Sequence, residues 1–243
     1  MLKKLKEKSK SIQFYPVAND VPSYSPAPST GTSGNIPDWV RQMPKYTDGQ
    51  TTFIYEGGSS NLTIKNCLPF LEAHTSGYVM TLPCDIQVRR LDNGTPRLTW
   101  GPTIPDPVRA RPTVESYIPQ MNGYDPLTFS WMPQWSVITP QGYSCQFIHP
   151  LNRIDLPFYT FGGVIDTDKW GEAGNHPFVL KQGFKGIIPK GTPIVQVIPF
   201  KRDDWKSTVT DDLGGRYMKK IRERDSVLKG WYRKNAWSNK SYR

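Results

Sequence analysis

Proline and glycine interrupt this chain so often that a long helix has almost nowhere to form. Its 243 residues include 23 prolines and 20 glycines, the prolines at about twice their usual share. Proline removes a backbone donor and clashes with the preceding turn, and glycine weakens any regular element it interrupts. Short strands joined by ordered turns are what remains. The 8 tryptophans, 12 tyrosines and 10 phenylalanines argue for a folded chain, because disordered sequences are poor in aromatics. The expected class is mainly β: one domain of short strands over residues 45–212, an extended N-terminal arm over 1–44, and a basic, aromatic C-terminal helix and tail over 213–243.

The arm is rich in Pro, Ser, Gly and Thr from Tyr15 to Pro44, a composition that forms no core of its own. Its removal is expected to leave a folded domain that no longer assembles. Ile36-Pro37-Asp38-Trp39-Val40 can open a short helix, since proline suits a first helical turn. Ser59–Ser76 has helical spacing at Ile64, Cys67, Leu68 and Leu71, with Ser60 or Asn61 as cap and Pro69 splitting it into two short pieces. Alternation marks strands at Tyr78–Leu82 and Ile86–Arg90, and Asn93-Gly94 marks a hairpin returning toward Trp100. Residues 101–120 hold too many prolines for a central strand. Further strands are expected at Pro126–Trp131 and Trp135–Pro140, with turns at Met132-Pro133-Gln134 and Gln141-Gly142.

Cys145–Arg202 carries most of the chemistry. Phe158–Val164 reads as a strand running into Ile165-Asp166-Thr167-Asp168, where alternate side chains share a face and the two carboxylates point the same way. Phe178–Leu180, Gly186–Ile188 and Pro193–Phe200 supply further strands, punctuated by Gly183, Gly186 and Pro189-Lys190-Gly191.

Charge is concentrated at the ends. Residues 1–10 hold five Lys against one Glu and residues 216–243 ten Lys/Arg against two acids, +4 and +8 of a total of +10, which leaves −2 for everything between. Basic ends on a near-neutral centre suit phosphate or an acidic protein surface. Arg216, Lys219, Lys220, Arg222, Arg224, Arg233 and Lys234 are the candidate contacts. Trp39, Trp205, Trp231 and Trp237 are candidate anchors for a protein partner, since buried aromatics dominate interface energetics. Three cysteines without a CxxC pair suit reduced thiols. No apolar run has signal-peptide or membrane-spanning length, so neither secretion nor a membrane role is expected.

GxxxxGK[ST], HExxH and GxSxG are all missing, and His74, His149 and His176 stand far apart. No metal and no cofactor are expected, and each histidine reads as a hydrogen-bonded structural residue. Four segments nevertheless resemble trimeric dUTPases in order and rough spacing, over about half the chain. Gly163-Val164-Ile165-Asp166-Thr167-Asp168 looks like that family's GVIDxDYxG strand, which holds deoxyribose. Gly186 and Lys190–Ile198 look like its GxRIAQ strand, which supports the phosphates. Thr75-Ser76-Gly77-Tyr78 stands where the family has AGYDL, and His149-Pro150-Leu151-Asn152-Arg153 where it has PRSG. The resemblance implies a β-clip, a distorted barrel that commonly trimerises, and assigns nucleotide contact to Arg153, Asp166, Asp168 and Gln196. Lys169-Trp170 replaces the tyrosine that stacks on the sugar, no serine follows Arg153, and no aspartate adjoins Gly77-Tyr78 to order a cation and water. Phosphoanhydride hydrolysis needs that cation and water, so the resemblance reads as fold without the chemistry.

Thr63–Asp85 and the HPLNR to QVIPF run also look similar to uncharacterised proteins of tailed bacteriophages. The expected function is a non-enzymatic structural or assembly subunit of such a particle, located in the virion and docking other subunits through arm and tail. A dUTPase-like nucleotide binder and a nucleic-acid binder working through residues 216–243 are the alternatives.

Overall fold

Turn chemistry sets where the strands stop. The computed structural model describes residues 10–31, 35–46, 62–111, 119, 121–172, 174–211, 214–226 and 231–242. The chain divides into two compact units, Met1–Arg202 and Asp203–Arg243.

In chain order, the first unit holds β1 (Gln13–Pro16), α1 (Val21–Tyr24), β2 (Ser29–Thr30) and α2 (Asp38–Gln42), then a single 3-10 turn at Ile64–Asn66 and α3 (Leu68–Thr75). There follow β3 (Tyr78–Thr81), β4 (Ile86–Arg90), β5 (Pro96–Thr99), β6 (Val108–Ala110), β7 (Tyr124–Trp131), β8 (Trp135–Ile138) and β9 (Tyr143–Ile148). The unit closes with β10 (Phe158–Thr160), β11 (Gly163–Ile165), β12 (His176–Lys181), β13 (Gly186–Ile188) and β14 (Pro193–Lys201). Residues 59–61, the expected helix cap, lie outside the described residues. Pro69 does split the remainder into the 3-10 turn and α3, since it supplies no donor to the preceding turn.

Among the described residues the strand pairings are all antiparallel and form four sheets, ordered β1-β8, β10-β12-β7-β6, β11-β9-β14-β3-β2 and β13-β4-β5. The protein is mainly β, but no sheet closes into a barrel among the described residues. Closure needs an unbroken ladder round the ring. Here the strands are short, and register shifts interrupt β12 against β7 and β14 against β3.

Trp131 anchors the core. It stacks on Phe178 at 3.6 Å between ring centres and meets Phe158 edge-on at 4.9 Å. Its indole N–H donates to Thr160 Oγ1 at 3.0 Å, and that hydroxyl donates on to Ile194 O at 2.8 Å. Leu82, Ile86, Ile188 and Leu180 are fully buried as well. Arg90 reaches from β4 to Asp125 on β7 at 2.8 Å, joining two sheets.

Two expectations need correction, and one turn gains partners its sequence does not name. The arm is not a free extension, because its described part is built into the first unit. β1 pairs with β8, β2 pairs with β3, and Val21 and Val40 are buried. Apolar residues spaced along a polar segment dock it without giving it a core of its own. Removal of residues 1–44 would therefore strip strands from two sheets rather than leave the domain intact. The turn at Met132-Pro133-Gln134 does stand between two strands, but they do not pair with each other: β7 pairs with β6 and β12, and β8 with β1. Gln134 O accepts from Val17 N–H instead, at 3.0 Å. Finally, the unit boundary falls after Arg202, not after residue 212, because residues 203–211 belong to no helix or strand and are exposed throughout.

The second unit holds α4 (Arg216–Asp225) and α5 (Trp231–Asn235). Gly214 and Gly215, at φ 68° and 72°, make the left-handed entry to α4 that only glycine adopts freely. No described helix is long and apolar enough to cross a membrane.

Candidate functional site

β11 ends at Ile165 and the chain turns over Thr167–Lys169. Thr167 points into the core, its hydroxyl 2.7 Å from Thr139 Oγ1 and donating to Cys145 Sγ at 3.4 Å. Asp166 and Asp168, on either side of it, both meet the same cation, Arg202, just past the end of β14. Arg202 Nη1 donates to Asp168 Oδ1 at 2.8 Å while Nη2 meets Asp168 Oδ2, a two-pronged grip, and Nη1 also lies 3.2 Å from Asp166 Oδ1.

Around this fork the backbone and hydroxyls complete the shell. Gly142 N–H donates to Asp168 Oδ2 at 2.8 Å, Ser144 Oγ–H donates to Asp166 Oδ1 at 2.7 Å, and Arg202 Nη1 donates to Tyr143 O at 3.0 Å. Arg202 N–H donates to Gly142 O at 2.9 Å. The guanidinium hydrogen bonds, with the Gly142 amide behind them, hold the Asp168 carboxyl down at about 2, and the same bonds raise the Arg202 pKa. Charge-assisted, bidentate pairs of this kind are the strong ones. The paired aspartates are thus clamps on the residue where the first unit ends.

Arg153 and Gln196 sit elsewhere, around the His149–Arg153 loop. Arg153 grips Asp155 through Nε to Oδ1 at 2.9 Å and Nη2 to Oδ2 at 2.7 Å. That pairing lowers the Asp155 pKa even though burial, the largest single influence, opposes it. Gln196 is 1% exposed. Its Oε1 accepts from Leu151 N–H at 2.8 Å, and its Nε2 donates to Ala73 O and Ser76 O at 2.9 and 2.6 Å. His149 Nδ1 accepts from Thr160 N–H at 3.3 Å, so Nε2 carries the proton that goes to Arg153 O at 3.2 Å; burial depresses its pKa. Asn152, at φ 61°, takes the left-handed turn that asparagine tolerates better than other side chains. Beside this loop is an open cavity of about 500 Å³ lined by Tyr124, Ile148, His149, Leu156 and Tyr159.

The four residues assigned to a nucleotide therefore fall in two places, each one engaged by another part of the chain. Among the described residues no group of three or more His, Cys, Asp and Glu is arranged to hold a metal. Cys67, Cys84 and Cys145 are free thiols. Trp39 turns inward, its indole N–H 3.4 Å from Asp155 Oδ1 and its ring edge-on to Phe70, so it anchors the arm to its own domain.

The second unit is different. Every residue from Lys201 to Asp211 is exposed, with Trp205 at 88% and Val209 fully in water. Helix α4 carries Arg216, Lys219, Lys220, Arg222 and Arg224 against Glu223 and Asp225, and exposes Tyr217 and Met218. Arg224 pairs with Asp225 at 2.8 Å. Helix α5 contributes Trp231, Arg233 and Lys234. Arg233 and Lys240 flank the Trp237 ring at 5.9 and 6.0 Å, cation–π contacts that an exposed site values at about 0.5–1 kcal/mol.

Sequence reasoning missed Arg202. Its only signal is position, a basic residue ending the longest apolar strand, and that cannot reveal two carboxylates that follow β11, the edge strand two places away in the same sheet. Fold and site together define a mainly β protein whose apparent acidic site is an internal clamp and whose exposed chemistry lies in a separate C-terminal unit. No protein-family model and no curated protein matches this chain.

Proposed function

We propose that the protein is a non-enzymatic structural subunit of an assembly, of the kind that builds a tailed-phage particle. In this reading its β unit is the platform and its C-terminal unit the connector. The observation that carries the reading is Trp205, 88% exposed within an uninterrupted exposed stretch. Burying a tryptophan removes 150–250 Å² from water, on the order of 4 kcal/mol, and such residues are typical interface hot spots. Holding one in solvent three residues past a clamped arginine makes sense when a partner covers it. The viral assignment is supported by the resemblance to phage proteins given above. A nucleotide enzyme is the weaker reading, since Arg153, Asp166, Asp168 and Gln196 spend their hydrogen bonds inside the chain.

The test compares the full chain with one ending at Arg202 by sedimentation at rising concentration. Association of the full chain and a folded monomer for the shortened one are expected. A full chain that stays monomeric throughout, or an oligomer that survives without residues 203–243, refutes it. One observation favours a second reading: α4 sets five basic residues against two acidic ones, beside tryptophans. If the tail binds nucleic acid, affinity for a random duplex will fall steeply with salt.

A further inference from the structure

On both sides of Asn35 the arm rests on α3. Before it, Gly31 N–H donates to Gly77 O at 2.9 Å, and a Cβ added at Gly31 would fall 2.5 Å from Thr75 O at the helix end. After it, Trp39 meets Phe70 edge-on, 6.3 Å between ring centres. Asn35 itself reaches α3 differently. It lines a small buried cavity of about 10 Å³ together with His74, Val79, Leu151, Arg153 and Gln196.

Asn35 and His74 each bring an unmatched nitrogen to this place. Asn35 Nδ2 and His74 Nε2 are both buried with no hydrogen-bond partner among the described residues, and His74 as a whole is 3% exposed. Buried polar groups are nearly always paired, with protein or with ordered water. The character of His74 Nε2 follows from the other ring nitrogen. Nδ1 lies 3.0 Å from Phe70 O, and a carbonyl only accepts, so Nδ1 carries the proton and Nε2 presents a lone pair. Burial, the largest influence, lowers the His74 pKa and keeps the ring neutral. Asn35 Nδ2, by contrast, is a donor. One donor and one acceptor that do not reach each other need a bridge able to accept from the first and donate to the second. A cation would face the amide N–H and Arg153, and an anion would face the imidazole lone pair. Water suits both. One water needs about 10–15 Å³ of such space and two to four polar partners, and the cavity provides about 10 Å³ and two partners.

We propose that this cavity binds one structural water, which accepts from Asn35 Nδ2 and donates to His74 Nε2. The water fastens residue 35 to α3 between the direct contacts of Gly31 and Trp39. It lies wholly within the first unit and holds whether or not the protein assembles.

Nitrogen-15 NMR of the native chain reads the tautomer: near neutral pH, His74 should show a protonated Nδ1 and a bare Nε2. A crystal structure should show one solvent peak within about 3.2 Å of both nitrogens, unchanged by soaking in bromide or rubidium. A protonated Nε2, a cavity without a solvent peak, or a peak that either ion replaces overturns the proposal. Two variants then read the fastening, His74→Phe, which removes the acceptor, and Asn35→Ala, which removes the donor. In each, the Gly31 amide should exchange with deuterium about tenfold or more faster than in the native chain, since local opening governs that rate. Should one variant fail to fold, the other carries the measurement, and an unchanged rate in either folded variant overturns the water as the fastening.

Discussion

Gln196 separates a structural reading of the His149–Arg153 loop from a ligand-binding one. Its carboxamide fills three hydrogen-bonding positions at once, linking β14 to Leu151 N–H, Ala73 O and Ser76 O. Gln196→Leu keeps most of the volume and removes all three bonds. Each orphaned backbone group costs about 1–3 kcal/mol when it stays buried. The partners lie at the C-terminal end of α3 and in a loop, where water reaches part way, so the low end applies and the sum is about 3–4 kcal/mol. The leucine returns roughly 1 kcal/mol of apolar burial. The net loss is then about 2–3 kcal/mol, or about 5–10 °C in melting temperature for a unit of this size.

Urea unfolding of the full chain, followed by tryptophan fluorescence, reads that loss directly. A drop below about 0.5 kcal/mol would show that the amide is not a staple, and would return Gln196 to the pool of residues kept for a ligand.

Asp168, held at about 2 against an ordinary 3.8, gives a signed pH dependence. A depressed carboxyl contributes stability that is complete above about pH 4 and lost as pH falls toward 2. The melting temperature of the native chain should therefore fall more steeply across that window than that of Asp168→Asn, and equal slopes would refute the clamp. Gly77 sits at φ +70° with Val197 O only 2.1 Å from where a Cβ would lie. Gly77→Ala must both strain the turn and push apart β3 and β14, so it should cost about 3 kcal/mol or more; a loss under 1 kcal/mol in urea would contradict the close approach.

Local signals in the sequence did reach the strands. Period-two alternation located β3 and β4, the Asn93-Gly94 pair located the turn to β5, and the β-branched run Pro193–Phe200 became β14. What the sequence does not carry is partnership. β8 follows β7 after a three-residue turn, yet it pairs with β1, more than a hundred residues away in sequence. No local pattern encodes that, because the ladder bonds are the same whichever strand supplies them. The bend at Phe161-Gly162 was missed for a related reason. Phe158–Val164 reads as one apolar strand, but its halves β10 and β11 join different sheets.

The paired aspartates show how far spacing alone can carry the reading of a motif. Asp166 and Asp168 do meet one group, Arg202, although β11 stops at Ile165 and it is the turn after it, not an extended strand, that brings them there. Whether they serve a ligand depends on what else faces them, and a cation on the same chain is present at an effective concentration no free ligand matches. A ligand for Asp168 would have to displace a bidentate guanidinium and strip Gly142 of its acceptor before gaining anything. The clamp falls on Arg202, the residue where the first unit ends. The acids therefore tie the end of β14 to the turn that follows β11, within the first unit itself.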